Sequence, residues 1–507
     1  MKRGIIPLCK IVIEYQDREF ENDIYALVKA FYPGAGIFAG LEKPEDWDLR
    51  LQVREDGSFL LQYKNKDGRG TACVETVQSE PKDMVALLSC KEGDPHALRR
   101  ARKNCIKRNL YWLLARHTGR QLPWGDLTGI RPVKLAMGML EEGMKNTEIA
   151  ARLRDDYFVS PQKTALAVTI ANREREILKD LDYEKGYSLY VGIPFCPSIC
   201  LYCSFSSSPL KVWKNRVEDY LCALHKEIQA VSEMMRGRTL NTIYIGGGTP
   251  TTLEPDQLER LLTWLGESFS YENLLEFTVE AGRPDSITME KLQALRKFPV
   301  TRISVNPQTM HQSTLDLIGR KHTVEDTRKA FALAREAGFD NINMDLIVGL
   351  PGEDQAMVSQ TLEEVRKMGP DSLTIHSLAV KRAARLNIFK DQYKEMTSQN
   401  SEEIMDRAMR CAYEMEMGPY YLYRQKNMTG NFENVGYAKV DKAGIYNILI
   451  MEEKQPIIAL GAGGASKLVC DRGARIERVE NVKDVKSYIE RIDEMIERKR
   501  KGIETYL

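Results

Sequence analysis

No run of about 18 apolar residues occurs anywhere in the 507-residue chain, so the sequence offers no segment to span a bilayer. Nor does the start, MKRGIIPLCKIVIEYQDREF, provide a signal peptide, because its apolar stretch is too short and too interrupted. An excess of one charge is missing too. The 73 basic residues nearly cancel the 72 acidic ones, leaving a formal net charge of +1. That balance points to neither nucleic acid nor a membrane surface as a partner, so any anion-binding surface must be local. Internal repeats and low-complexity tracts are absent. Cysteine is scarce: seven of the ten stand alone (Cys9, Cys73, Cys90, Cys105, Cys222, Cys411 and Cys470). With no export signal the expected location is the reducing cytoplasm, where a close group of cysteines reads as metal-binding rather than as part of a disulfide framework.

What is present divides the chain into three regions, close to the number its length suggests. Residues 1–180 read as an N-terminal α/β domain of unassigned role. Alternating runs at 11–15 and 58–63 read as strands, and Asp56-Gly57 and Asp67-Gly68 read as the hairpin turns of an antiparallel meander, the first as a two-residue turn. A helix is expected over 95–116. From 187 to 380 short β-rich runs alternate with helical ones. Six strands (189–193, 241–245, 276–280, 302–306, 341–347 and 372–376) are separated by helices near 215–235, 255–268, 288–297, 324–337 and 355–368. This alternation predicts a parallel α/β sheet, either a partial (β/α)6 barrel or a doubly wound sheet. Residues 381–507 read as a C-terminal helical-plus-strand domain, with a helix over 401–417, strands at 446–451 and 455–460, and an amphipathic helix over 482–498.

The remaining three cysteines lie within eight residues, in IPFCPSICLYCSF, at the spacing C-x3-C-x2-C. Zinc sites usually assemble four ligands from paired short spacings, and no second CxxC exists here. Clusters that only carry electrons are normally held by four cysteines. Thiolates from Cys196, Cys200 and Cys203 would leave one iron of a cubane open to a small chelating ligand. A structural zinc with a distant His or Cys as fourth ligand, or chance clustering, are the alternative readings.

Around these cysteines the chain resembles the radical S-adenosylmethionine (SAM) superfamily, in which CxxxCxxC follows the first strand of a partial (β/α)6 barrel. The strings LYVGIPFCPSICLYCSF, YIGGGTPT, FTVEAGRPD, SVNPQTMHQSTLDLIGRKHT and NMDLIVGLPGE are similar to one branch of it, the oxygen-independent coproporphyrinogen III oxidases. The N-terminal extension with WGDLTGIRP makes the HemZ-type coproporphyrinogen dehydrogenases the best fit. The resemblance implies a [4Fe-4S] cluster on Cys196, Cys200 and Cys203, and SAM bound by Gly247, Gly248, Thr249, Glu280, Gln308, Arg320 and Asp345. The glycines of GGGTP would admit close backbone approach, a tight turn being the alternative. Glu280 would accept from the ribose hydroxyls. Tyr190 would pack beside the cluster, and His376 would be a proton donor or substrate contact; a core tyrosine and a core histidine are the plain alternatives.

The implied reaction begins with reductive cleavage of SAM to an adenosyl radical, which takes hydrogen from the β-carbon of a propionate. Loss of CO₂ and an electron leaves a vinyl group, so coproporphyrinogen III becomes protoporphyrinogen IX. The implied partners are a porphyrinogen, an electron donor and an electron acceptor. Arg283, Lys321, Lys381 and Arg385 are candidate cations for the substrate carboxylates by position. Gly461 to Ala465 resembles a late Gly/Ala-rich segment of the branch. Phe205 stands where the best-known coproporphyrinogen oxidase has a further cysteine and is shared with HemW-type haem chaperones. The HNxxYW haem-binding stretch of those chaperones is replaced here by GIYNILI, with Tyr446 before Asn447. A haem-handling protein of the same branch, or a radical SAM enzyme acting on another substrate, are therefore alternative readings.

Overall fold

The computed structural model describes residues 9–40, 44–55, 57–63, 73–77, 95–129, 131–204, 207–379, 384–388, 400–425, 432–470, 473 and 475–507. Asp56, the Asp67-Gly68 turn, Phe205 and Lys381 lie outside them. The chain divides into two compact units, Met1–Val168 and Thr169–Leu507.

In the first unit, strands β1 (Lys10–Tyr15), β2 (Gly36–Phe38), β3 (Leu49–Val53), β4 (Phe59–Tyr63) and β5 (Cys73–Val77) form a sheet in the order β2-β1-β3-β4-β5. The expected meander is β3-β4-β5, antiparallel throughout. Its first connection is longer than a two-residue turn: Val53 pairs with Phe59, and the Arg54 N–H donates to the Ser58 carbonyl. The helices Glu21–Phe31 and Pro95–Thr118 bury Leu27, Phe31, Leu110 and Leu114 in the core of this sheet.

The second unit is built on one sheet. Its strands are β6 (Gly186–Ile193), β9 (Thr239–Gly247), β10 (Glu276–Gly282), β11 (Arg302–Val305), β12 (Ile342–Val348), β13 (Ser372–Ser377), β14 (Gly418–Tyr423), β15 (Asn434–Ala438), β16 (Ile457–Leu460), β17 (Ala465–Cys470) and β18 (Arg475–Glu480). A two-residue pair, β7 (Phe195–Cys196) with β8 (Ser208–Pro209), stands apart from it. The six expected strands lie side by side and parallel in the order β13-β12-β11-β10-β9-β6. Helices Val217–Met234, Pro255–Ser268, Met289–Arg296, Val324–Glu336 and Gln355–Met368 connect them. Their ends follow local chemistry. Pro255 opens one at its first turn, Thr323 caps another by accepting from the Asp326 N–H, and Gly369 closes the last at φ 68°. The open parallel array is the partial (β/α)6 barrel of the first alternative.

Residues from 381 onward extend both edges of this sheet: β15 and β14 beside β13, and β16, β17 and β18 beside β6. Two expectations are corrected here. Residues 446–451 form part of a helix, Ile445–Glu452, rather than a strand. The Glu276 carboxylate on β10 accepts from the Ile445 N–H at the helix start, and Tyr446, Ile448 and Leu449 are all buried, so an apolar run served a buried helix. The amphipathic helix expected over 482–498 is two helices, Val485–Glu490 and Ile492–Tyr506, broken at Arg491. The second buries Lys499 completely against Glu227 (Nζ–Oε1 2.7 Å).

Candidate active site

In the parallel strands most residues are buried on both faces, yet five strands carry a half-buried polar side chain in their middle or carboxyl-terminal half: Tyr190 on β6, Tyr244 on β9, Glu280 on β10, Asp345 on β12 and His376 on β13. Register makes Tyr190 the neighbour of Tyr244. All five face one cavity of about 540 Å³. Every residue singled out in the sequence for the cluster, SAM or catalysis lines that cavity, including the three cysteines, Gly247, Gly248, Thr249, Gln308 and Arg320. Lys321 and Arg385 do not.

The cysteine loop leaves β6 through β7 and is fastened at several points. Leu201 N–H donates to Ile318 O (2.9 Å) and Ser198 Oγ to Gly319 O (2.9 Å). Thr249 Oγ1 reaches Cys196 Sγ at 3.6 Å. Burial, with Cys203 and Cys200 close by, pushes the Cys196 thiol up to about 11, although the Thr249 hydrogen bond pulls it down. Among the described residues no three His, Cys, Asp or Glu side chains close around a single ion. A cubane asks for something different, one thiolate on each of three irons around a shared space.

The GGGTP loop is held by backbone. Gly248 N–H donates to Ile193 O (2.7 Å) and Thr249 N–H to Phe195 O (2.7 Å). Gly247 sits at φ 106°, and a Cβ on Gly248 would lie 2.5 Å from Phe195 O and 2.9 Å from Ile193 O. Only glycine fits between these strands. The amide hydrogens of Gly248 and Thr249 are thus spent on holding the loop, and what remains for a ligand is acceptor oxygen.

Beyond β11 the cavity wall is polar and unsatisfied. Ser304 Oγ, Asn306 Oδ1, Gln308 Oε1 and Arg320 Nε are buried with no hydrogen-bond partner in the protein. Gln308 adopts φ 69°, a left-handed conformation uncommon outside glycine, fixed by reciprocal backbone bonds to β12 (Gln308 N–H to Asp345 O and Ile347 N–H to Gln308 O, both 3.0 Å). Arg320 donates to the Asn306 carbonyl. Orphaned buried donors and acceptors in a row are what a polar ligand satisfies, so these residues, the glycine cradle and the three thiols fit SAM and a cluster.

Another part of the lining is aromatic and acidic. Tyr244 stacks on Tyr446 (ring centroids 4.5 Å) and more loosely on Tyr190 (6.3 Å). Its hydroxyl donates to Glu280. Burial pushes Glu280 up to about 7, with Asp345 adding to the rise and the Tyr244 bond opposing it. Burial would also raise Asp345, but His376 (Nε2–Oδ2 3.7 Å) and the Asn343 amide (2.7 Å) outweigh it and hold that carboxyl low. His376 Nδ1 faces Tyr423 Oη at 3.3 Å.

Several lining groups escaped sequence reasoning. Tyr244 and Asn343 lie two residues from recognised positions on β9 and β12, and the pleat would have found them once the strands were placed; Arg302 on β11 had no such neighbour. Arg302 is 2% exposed and donates to Ser372 Oγ (3.0 Å). Arg283, a candidate substrate cation, lines the cavity, is 3% exposed, forks onto Asp285 and reaches Ser198 in the cysteine loop.

Comparison with known proteins agrees with this geometry. The radical SAM superfamily matches residues 190–365. A solved structure of coproporphyrinogen III oxidase (HemN) from Escherichia coli, described as a radical SAM enzyme, superposes with a TM-score of 0.50 at 24% identity, covering 62% of this chain and 70% of that one, a likeness of fold. Heme chaperone HemW of Bacillus subtilis is 31% identical over 309 residues, 61% of this chain and 76% of its own length. The oxygen-independent coproporphyrinogen-III oxidase-like protein HemZ of Bacillus subtilis is 38% identical over 492 residues, 96% of each chain. With thiols, glycine cradle and barrel strands in the family's order and a relative alike over its whole length, this chain belongs to the HemZ-type family of the radical SAM superfamily.

Proposed function

We propose that the protein is an oxygen-independent coproporphyrinogen III dehydrogenase of the cytoplasm, converting two propionates of coproporphyrinogen III to vinyls in haem biosynthesis. The observation that supports this most is the convergence of Cys196, Cys200 and Cys203 with the orphaned polar groups of Ser304, Asn306, Gln308 and Arg320 on one cavity. When bound, a [4Fe-4S] cluster and SAM supply hydrogen-atom abstraction from an unactivated carbon.

The chain's own residues bind, orient and shield. The three thiolates hold the cluster. Acceptor oxygens of the GGGTP loop meet the SAM ammonium, Glu280 accepts from the ribose diol, and Gln308, Arg320 and Asp345 take the remaining polar groups. Tyr190, Tyr244 and Tyr446 form the apolar wall that excludes water. His376, which faces Asp345 and Tyr423, is the proton donor or substrate contact in this reading. An electron donor and an electron acceptor complete the turnover, with the porphyrinogen as the partner that fills the cavity.

Anaerobic turnover of the reconstituted protein with coproporphyrinogen III, SAM, a reductant and an electron acceptor tests this reading. Protoporphyrinogen IX formed with 5′-deoxyadenosine is the expected result. Stoichiometric haem binding without porphyrin conversion would favour haem delivery instead, and SAM cleavage without conversion would favour another substrate.

A further inference from the structure

Arg283 occupies an unusual position for a cation near a site that is read as taking carboxylates. It follows Gly282 at the carboxyl end of β10 and is 3% exposed. Its Nε and Nη2 make a two-pronged pair with Asp285 (3.0 and 2.9 Å). The remaining Nη1 reaches into the cysteine loop, to Ser198 Oγ at 3.1 Å, Ser198 O at 3.4 Å and Cys200 Sγ at 3.6 Å. All three nitrogens of the side chain are thus engaged within the protein, although the residue lines the cavity. A second guanidinium, Arg320, lies close enough to Cys200 and Tyr202 to interact electrostatically with both. Cys200 is thereby served by two cations, whereas Cys196 receives the neutral hydroxyl of Thr249.

We propose that Arg283 is a positioning and tuning residue: it fixes the loop that carries Cys200 and, balanced by Asp285, sets the reduction potential of the cluster held there. The proposal rests on the cluster reading above. Hydrogen bonds and charges around ligand sulfurs are among the main determinants of cluster potential. Taking up one electron adds one negative charge to the cluster, so a cation beside a ligand sulfur stabilises the reduced form, and a carboxylate beside that cation offsets part of the effect. The fork onto Asp285 keeps the guanidinium in place, which a lysine ammonium, lacking paired donors, would do less well.

The test is a mediated redox titration of the reconstituted protein without SAM, followed by electron paramagnetic resonance, with iron content measured in parallel. Arg283→Gln should lower the reduced-to-oxidised ratio at a fixed poise roughly tenfold, a fall of ~59 mV for a one-electron couple. Arg283→Lys, which keeps the charge, should stay close to the parent. Asp285→Asn, which removes the balancing carboxylate, should move the potential upward. Opposite shifts from the two neutralising variants are an outcome that a purely structural role does not produce. An unchanged potential in Arg283→Gln with full iron content overturns the proposal. If Arg283→Gln loses its iron, Asp285→Asn decides, an upward shift sustaining the proposal and no shift or a downward one overturning it. Absence of any iron–sulfur spectrum in the parent protein contradicts the cluster reading itself.

Discussion

Replacing Lys499 with methionine removes the cation from a fully buried pair, and the consequence follows from the partners of Glu227. Both side chains are 0% exposed. The Glu227 carboxylate accepts from Lys499 (2.7 Å), Asn481 (2.8 Å), Tyr488 (2.6 Å) and the Gly461 N–H (2.8 Å). Breaking a buried pair from one side leaves an uncompensated charge and costs about 3–5 kcal/mol. Burial alone would raise the Glu227 carboxyl, but Lys499, Tyr488 and the Gly461 amide outweigh it and hold it below its usual value. A carboxyl depressed on folding contributes stability that is present above its unfolded value, about 4.3, and is lost as pH falls through the folded one. Without Lys499 burial dominates, the carboxyl rises, and the variant loses stability as pH rises instead. Denaturant unfolding between pH 4 and pH 8 should therefore show the deficit of Lys499→Met widening with pH. Lys499→Met combined with Glu227→Gln should recover most of it, since no buried charge remains. A single variant within 1 kcal/mol of the parent at pH 7, or one with the same pH slope, refutes this reasoning. The pair also bears on the site, because Tyr220 bonds both Gly192 O and the Ala462 N–H and so ties the loop after Gly461 to β6.

Other outcomes follow from the same geometry. Gly248→Ala forces a Cβ within 2.9 Å of three backbone atoms and should cost about 1–3 kcal/mol of local overpacking; calorimetric titration should show SAM affinity falling at least tenfold. Glu280, raised to about 7, accepts well only when ionised, so SAM affinity should tighten as pH rises through about 7 and flatten in Glu280→Gln. An identical pH profile in that variant would remove Glu280 from the binding site.

Much of the barrel was legible because its strands and helices announce themselves by period and by local stops. Pro255 and Gly369 bound their helices in the structure as in the sequence, and the motif residues fall at strand ends where a parallel sheet exposes them. The run at 446–451 was misread because IYNILIM is apolar apart from Asn447 and shows no clear period; in the structure a carboxylate 169 residues earlier, Glu276, accepts from the N–H at its helical start. The break at Arg491 was hidden because the apolar stripe continues across it. What Arg283 touches was hidden for a physical reason as well. A cation beside a cofactor motif suits a substrate carboxylate, and only the fold shows Asp285 and Cys200 already holding it. Arg302 was invisible since nothing in the sequence marks a buried arginine on a strand.

The most direct measurement is anaerobic reconstitution of the parent protein and of Cys196→Ala, Cys200→Ala and Cys203→Ala, with iron and sulfide analysis and paramagnetic resonance of the reduced cluster before and after SAM. The parent should hold four irons and four sulfides per chain and change its spectrum on adding SAM, while each variant loses most of its iron. Full iron content in all three variants, or a parent spectrum indifferent to SAM, would contradict a three-thiolate cluster with an iron open to SAM.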